Sequence, residues 1–208
     1  MTTASKTTVF IVDDDPAMRE SLGFLVDSVG LSAETFATGR EFLDRYDGES
    51  AGCLVLDIRM PGLSGLELQE RLAEREIDIP IVMITGFADV SMAVRALKAG
   101  AIDFIEKPYA DQVLLDRINA ALEEDRRRRN QRTRRREVET RMARLTPRER
   151  QVMTCVIDGK PNKVIAAELG LSPKTIEVHR ARMMEKMRVD SLAELLHLAI
   201  PYALADRR

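Results

Sequence analysis

Residues 53–68 read CLVLDIRMPGLSGLEL, and this stretch decides the fold. Four residues of an apolar run, Cys53-Leu54-Val55-Leu56, end on the single carboxylate Asp57; a turn follows at Met60-Pro61-Gly62; and from Gly65 the apolar residues fall at helical spacing. A short, nearly continuous apolar run suits a strand buried on both faces of a parallel sheet. Working outward, the same alternation recurs. Val9–Val12, Ser32–Phe36, Ile81–Ile84 and Ala101–Ile105 read as further strands, and Ala17–Val29, Gly39–Tyr46, Gly65–Arg75 and Val90–Ala99 as the helices between them. Gly30 and Gly100 stand where helices would end. Repeated βα units predict an α/β fold with a five-stranded parallel sheet, and the more polar Ser32–Phe36 belongs at an edge.

Charge divides the chain in two. Residues 1–125 carry 11 Lys+Arg against 24 Asp+Glu, a balance of −13, whereas residues 126–208 carry 21 against 10, or +11. The net −2 is therefore no guide to function, and the asymmetry points to a polyanion-binding half joined to something else. With 208 residues, 45% of them hydrophobic, one or two cored domains are expected and wholesale disorder is excluded. The start, MTTASKTTVFIVDDD, has no cationic segment leading into an apolar run, and no window approaches the ~18 apolar residues of a membrane span. A soluble, cytoplasmic protein without membrane partners is the expectation. Cys53 and Cys155 lie in different halves and in apolar surroundings, as reduced, packed thiols do.

Val113, Leu114, Ile118, Ala121 and Leu122 form one face of a fifth helix that runs into EEDRRRRNQRTRRREVETR, where the apolar stripe ends. Eight of the eleven residues from Arg126 to Arg136 are arginine, without Gly or Pro, and Glu123 and Glu124 precede Arg127 and Arg128 by four. A solvated helical linker is expected, with a flexible one as the alternative. The division is then 1–124, a linker at 125–143, and a second domain at 144–208. That domain opens on the capping box Thr146-Pro147-Arg148-Glu149. Its helix stops at Gly159; a second, Lys163–Leu169, stops at Gly170; a third runs from Ser172-Pro173 to near Met187; and Ser191-x-x-Glu194 opens a fourth. Four short helices make a small all-α domain.

Open α/β sheets build their sites at the carboxyl ends of the strands. Here those ends carry Asp13-Asp14, Asp57, Thr85 and Lys107-Pro108. Three converging carboxylates resist ionisation unless a cation joins them, and Mg2+, which takes oxygen ligands and phosphate oxygens, is the natural partner. Asp57 can then act as a nucleophile on phosphorus, with Lys107 and Thr85 reaching other phosphoryl oxygens. Taken singly, each residue also has an ordinary role as strand end, cap or surface charge. The constellation is what carries the reading.

The motifs IVDDD, LVLDIRMPGLSGLEL, PIVMITGFAD and DFIEKPY resemble the flavodoxin-like receiver domain of bacterial two-component response regulators, over about residues 7–122. The resemblance implies that a sensor histidine kinase phosphorylates Asp57, that Asp13, Asp14, Asp57 and the backbone carbonyl of Arg59 organise Mg2+, and that Lys107 holds the phosphoryl group. It also implies a switch in which Thr85 moves toward the phosphate and Phe104 turns inward, reshaping the face made by the fourth helix, fifth strand and fifth helix. Phe at 104, where Tyr is also common, can report only by packing. Receivers often have a cis peptide at the position of Lys107-Pro108.

In the basic half, NKVIAAELGLSPKTIEVHRA, residues 162–181, reads as a helix-turn-helix. Ile165, Ala166, Leu169 and Leu171 would pack inward, as would Ile176, His179, Met183 and Met187 of the second helix. Residues 145–200 are similar to the LuxR-type helix-turn-helix domain of the NarL/FixJ regulators. Base readout is expected from Lys174, Thr175, Glu177, Val178, Ala181 and Arg182, and phosphate contacts from Asn162, Lys163, Arg180 and Lys186. His179 reads equally as a phosphate contact or a packed side chain.

The function these features imply is a phosphorylation-controlled transcription factor, in which the aspartyl phosphate favours a dimerising receiver and brings two basic domains onto paired half-sites of promoter DNA, where RNA polymerase acts. Restraint of the DNA-binding domain by the unphosphorylated receiver is equally compatible. The apolar helix Leu192–Ile200 reads either as a second dimer contact or as core. Within the NarL/FixJ branch the resemblance implies a FixL-like kinase and genes of nitrogen fixation and oxygen-limited respiration. The competing class is a Mg2+-dependent Asp-nucleophile phosphohydrolase with a nucleic-acid-binding tail, but such folds place the nucleophile after the first strand. The chemistry expected here is confined to the receiver's own phosphotransfer and dephosphorylation. A degenerate receiver would lack a pocket position, and none is missing.

Overall fold

The structure, a computed structural model, describes residues 7–86 and 89–203, with side chains through Ala199. Phe87 and Ala88 of the PIVMITGFAD motif and the side chain of Ile200 lie outside the described residues. Strands β1 (Thr8–Val12), β2 (Ser32–Phe36), β3 (Gly52–Asp57), β4 (Ile81–Thr85) and β5 (Asp103–Glu106) form one parallel sheet in the order β2-β1-β3-β4-β5, with β2 at an edge as its polarity predicts. Helices α1 (Pro16–Ser28), α2 (Gly39–Arg45), α3 (Gly65–Glu74) and α4 (Val90–Lys98) connect the strands, and α5 runs from Asp111 to Ala143. The fifth strand begins two residues later than the apolar run suggests. The Ala101 N–H is taken by the Ala96 carbonyl at 3.0 Å, completing the end of α4, and pairing with β4 follows it.

Alternation along the strands makes two cores. Phe10, Val12, Leu54, Leu56 and Met83 face one way and pack with Phe42 of α2, with Tyr46 just after that helix, and with Leu68 and Leu72 of α3. Val9, Ile11, Cys53, Val55, Val82 and Ile84 face the other and meet Leu22 and Val26 of α1 and Leu114, Ile118 and Ala121 of α5. Both cysteines are free and buried.

Contacts group the chain into two compact units, one ending at Arg129 and the other beginning at Asn130. The arginine run is helical but not uniformly solvated. Arg127 and Arg128 each pair with Glu124 at 2.7 Å, Arg128 also pairs with Asp78, and Arg129 pairs with buried Asp125 at 2.7 Å. Arg129 further donates to the Glu49 and Ser50 carbonyls at 2.6 Å, while Asp125 accepts the Gly52 N–H at 3.0 Å. A Cβ at Gly52 would come within 1.8 Å of the Thr8 carbonyl oxygen, so this close approach of β1 and β3 needs glycine.

The second unit holds α6 (Pro147–Ile157), α7 (Asn162–Leu169), α8 (Pro173–Met187) and α9 (Leu192–Ala203). Its core gathers Val152, Val156, Ile165, Ala166, Ile176, Met183, Met187, Leu195 and Ala199. Leu195 and Ala199 therefore give α9 a core role, while Leu192 is exposed. Among the described residues no helix is long and apolar enough to cross a membrane.

Candidate functional site: an acidic pocket and a helix-turn-helix face

With β2 on one side of β1 and β3 on the other, the chain leaves β1 and β3 in opposite directions, and a crevice opens at their carboxyl ends. Register places Val12 beside Leu56 and Asp57 beside Ile84, so Asp13 follows β1 next to the end of β3. One carboxylate oxygen from each of Asp13, Asp14 and Asp57 lies within 4.8 Å of the other two. Lys107 Nζ is 2.8 Å from Asp13 Oδ2 and 3.8 Å from Asp57 Oδ2. The Lys107 N–H donates to the Thr85 carbonyl at 2.7 Å, and the peptide to Pro108 is cis. Thr85 is fully buried at the end of β4, and Phe104 is half-buried against the core, opposite Met83. Four of the residues read from the strand ends, Asp13, Asp14, Asp57 and Lys107, thus converge, and Thr85 is tied to Lys107 through the backbone.

Asp13 and Asp57 are buried, whereas Asp14 is exposed. Burial drives the Asp57 carboxyl above the ordinary aspartate range; Lys107 opposes that shift, Asp13 reinforces it, and the backbone N–H groups of Arg59 and Ile58 oppose it. Asp57 Oδ1 is buried without a hydrogen-bond partner. These features fit a hard divalent cation: the donors are all oxygen, one buried oxygen is orphaned, and a buried carboxylate remains short of positive charge despite Lys107. Beneath the pocket the loop closes tightly. The Gly65 N–H donates to the Ile58 carbonyl at 3.0 Å, and a Cβ at Gly65 would lie 2.3 Å from the Asp57 carbonyl oxygen.

In the second unit, the turn between α7 and α8 has Gly170 in the left-handed region, and Ser172 caps α8 by accepting the Thr175 N–H at 3.1 Å. Ile165 and Ala166 meet Ile176 and Met183 in the core. Lys174, Glu177, Val178, Ala181 and Arg182 are all exposed, as a groove-reading face requires. Thr175 is half-buried, and its hydroxyl lies 2.8 Å from Ser172 Oγ. Lys163 is exposed, and Arg180 donates to Asn162 Oδ1 at 3.1 Å, linking two expected phosphate contacts. Lys186 instead gives its ammonium to Glu149, 2.6 Å away. His179 is half-buried with Nδ1 unpartnered.

The family model of the response regulator receiver domain matches residues 9–119, more than half of the chain. The chain belongs to the response regulators. A second model, of bacterial regulatory proteins of the luxR family, matches residues 143–199 of this response regulator. The transcriptional regulatory protein FixJ of Bradyrhizobium diazoefficiens is 46% identical to it over 192 residues, covering 92% of this chain and 94% of FixJ. Nodulation protein W of the same organism is 46% identical over 196 residues, 94% of this chain and 86% of that protein. The structure of the response regulator StyR superposes with a TM-score of 0.87 at 48% identity, over 95% of this chain and 100% of StyR. The expected FixJ-like regulator, with a receiver and a LuxR-type domain, is therefore what the comparisons show, and its relatives are regulators rather than enzymes. As a response regulator it works with a sensor kinase and with DNA.

Three residues of this response regulator were not visible from sequence. Gly65 lies under Asp57, Asp125 ties α5 to the amino end of the central strand β3, and Arg19 donates to the carbonyls of Asp13 and Asp14. Each acts through backbone atoms, and contacts to backbone leave no residue pattern. Only the position of Arg19 four residues after the cap Asp15 offered a hint, since it directs the side chain back toward the loop.

Proposed function

We propose that Asp57 accepts a phosphoryl group from a histidine kinase and that the aspartyl phosphate shifts the receiver to a dimerising state, bringing two helix-turn-helix units onto paired half-sites of double-stranded DNA. The observation that carries this is the convergence of Asp13, Asp14, Asp57 and Lys107, with a carboxylate whose buried oxygen has no partner, in a chain that also presents an exposed α8 face. Asp57 attacks phosphorus, the P–N bond to the kinase imidazole breaks, and the imidazole keeps the bonding electrons and leaves. Asp13, Asp14, Asp57 and the Arg59 carbonyl would hold Mg2+, whose charge supports ionised Asp57 and neutralises phosphoryl oxygens. Lys107 approaches from the β5 side as a second cation, already within ion-pair distance of Asp13 and Asp57. Thr85 moves toward the phosphate and Phe104 turns inward behind it, which carries the change to the face of α4, β5 and α5.

On DNA, Lys174, Glu177, Val178, Ala181 and Arg182 read bases, and Thr175 joins them by releasing Ser172. Asn162, Lys163, Arg180 and His179 position the domain on phosphates. Lys186 contributes there only as far as its pairing with Glu149 allows. The protein acts in the cytoplasm beside RNA polymerase, and the likeness to FixJ makes a FixL-like kinase and genes of nitrogen fixation or oxygen limitation the first candidates to test. Domain limits near 124 and 144 keep the arginine-rich segment as the connection. The deciding experiment is a gel-shift titration with and without acetyl phosphate. Asp57→Asn abolishes the stimulation; unchanged stimulation overturns the mechanism.

A further inference from the structure

Strand geometry sends consecutive side chains to opposite faces. Asp13 and Asp14, just past the end of β1, no longer follow that alternation: they are adjacent, yet an oxygen of each carboxylate lies within 4.8 Å of the other and of Asp57. The backbone must be turned at this point, and Arg19 of α1 grips the turn. Its Nη1 donates to the Asp13 carbonyl at 2.8 Å and to the Asp14 carbonyl at 3.0 Å. Successive carbonyls of an extended chain point in opposite directions, so one nitrogen receives both only when the chain turns. The side chain of Asp13 is held separately, with Oδ1 accepting the Asp15 N–H at 2.9 Å and Oδ2 accepting Lys107 Nζ at 2.8 Å. The Asp15 carboxylate is occupied with capping α1 through the Ala17 N–H at 2.9 Å.

We propose that Arg19 is a positioning residue for the divalent-cation site: it holds the Asp13-Asp14 backbone turned so that two adjacent carboxylates serve one ion, without itself touching ion or phosphoryl group. The inference rests on the reading of the pocket as a Mg2+-dependent phosphoryl acceptor. Partners that orient metal ligands typically change metal affinity by about 10–100-fold when removed. A planar guanidinium is suited to the task because its donors are fixed relative to one another.

The test is calorimetric titration of the full chain with Mg2+. Arg19→Met, which keeps the aliphatic stem and removes the donors, is expected to weaken Mg2+ binding about tenfold, with a melting temperature in EDTA close to that of the wild type. Phosphorylation by acetyl phosphate should then need more Mg2+ for half-maximal rate but reach a similar maximum, a split that general loosening of the fold does not produce. Wild-type Mg2+ affinity in the variant overturns the role of Arg19. Absence of Mg2+ binding by the wild type overturns the pocket reading instead. Arg19→Gln, too short to span both carbonyls, guards against a poorly folding methionine variant: unchanged Mg2+ affinity there is equally fatal to the proposal.

Discussion

In the proposed reaction Asp57 meets two opposed demands: it would have to be ionised to attack phosphorus, and it sits where burial and Asp13 favour its protonated form. A carboxyl whose pKa is raised by folding contributes stability below its unfolded pKa and loses that contribution as pH rises through the folded value. At neutral pH the ionised group therefore works against the fold. Asp57→Asn is accordingly expected to melt a few degrees above the wild type in EDTA near pH 7, with the gap closing as the pH falls below the ordinary aspartate range. Mg2+ should stabilise the wild type more than the variant. Differential scanning fluorimetry across pH checks both, and a variant that melts below the wild type at neutral pH contradicts them. The pocket residues were legible because strand ends can be counted from sequence, so Asp13, Asp14, Asp57, Thr85 and Lys107 announce themselves by position. The raised pKa was not, because it depends on how deeply the folded sheet buries Asp57.

At the scale of elements, capping boxes show how local pattern acquires tertiary weight. Ser64 and Glu67 close α3 with an exposed pair, whereas Thr146 and Glu149 close α6 with a glutamate that is buried and bound to Lys186 of α8. Burial pushes the Glu149 carboxyl up, but the Lys186 hydrogen bond and those from the Thr146 N–H and hydroxyl outweigh it, leaving the group below its ordinary value. A lowered carboxyl pKa contributes stability above the unfolded value that is lost as pH falls toward the folded one. Glu149→Gln should destabilise the helix-turn-helix unit by about 1–3 kcal/mol at pH 7, with the difference shrinking below the ordinary glutamate range. Urea unfolding followed by circular dichroism at pH 7 and in acid measures it, and a pH-independent difference would refute the ionic origin. Sequence revealed the cap through Thr-x-x-Glu spacing. It could not reveal Lys186, 37 residues away, and that pairing is why a lysine expected at phosphate is also part of the scaffold. The late start of β5 has a similar cause, since Ala101 is apolar enough for a strand but its N–H belongs to the end of α4.

Over the whole molecule, the charge contrast between halves was plain in the sequence, but its meaning changes with structure. The arginines at 126–129 lie on the receiver side of the division at Arg129, which turns balances of −13 and +11 into −9 and +7. Arg127, Arg128 and Arg129 are ion-paired with Glu124, Asp78 and Asp125, so they have little positive charge left to offer a polyanion. Arg134 and Arg136 are exposed and make no ion pair among the described residues. They lie on the same side of that division as the helix-turn-helix and are the arginines able to add phosphate neutralisation. Each phosphate neutralised steepens the dependence of log affinity on log salt by about 0.9. Replacing both, Arg134→Gln with Arg136→Gln, should therefore reduce that slope by about 1–2 and weaken specific and non-specific DNA alike at low salt. Arg128→Gln with Arg129→Gln should leave the slope unchanged while lowering receiver stability, because it removes charge-assisted bonds to Asp78, Asp125 and the Glu49 and Ser50 carbonyls. Fluorescence anisotropy titrations over a range of salt concentrations separate the two pairs. If the second pair lowers the slope and the first does not, the division of the arginine run between receiver scaffold and DNA attraction is wrong.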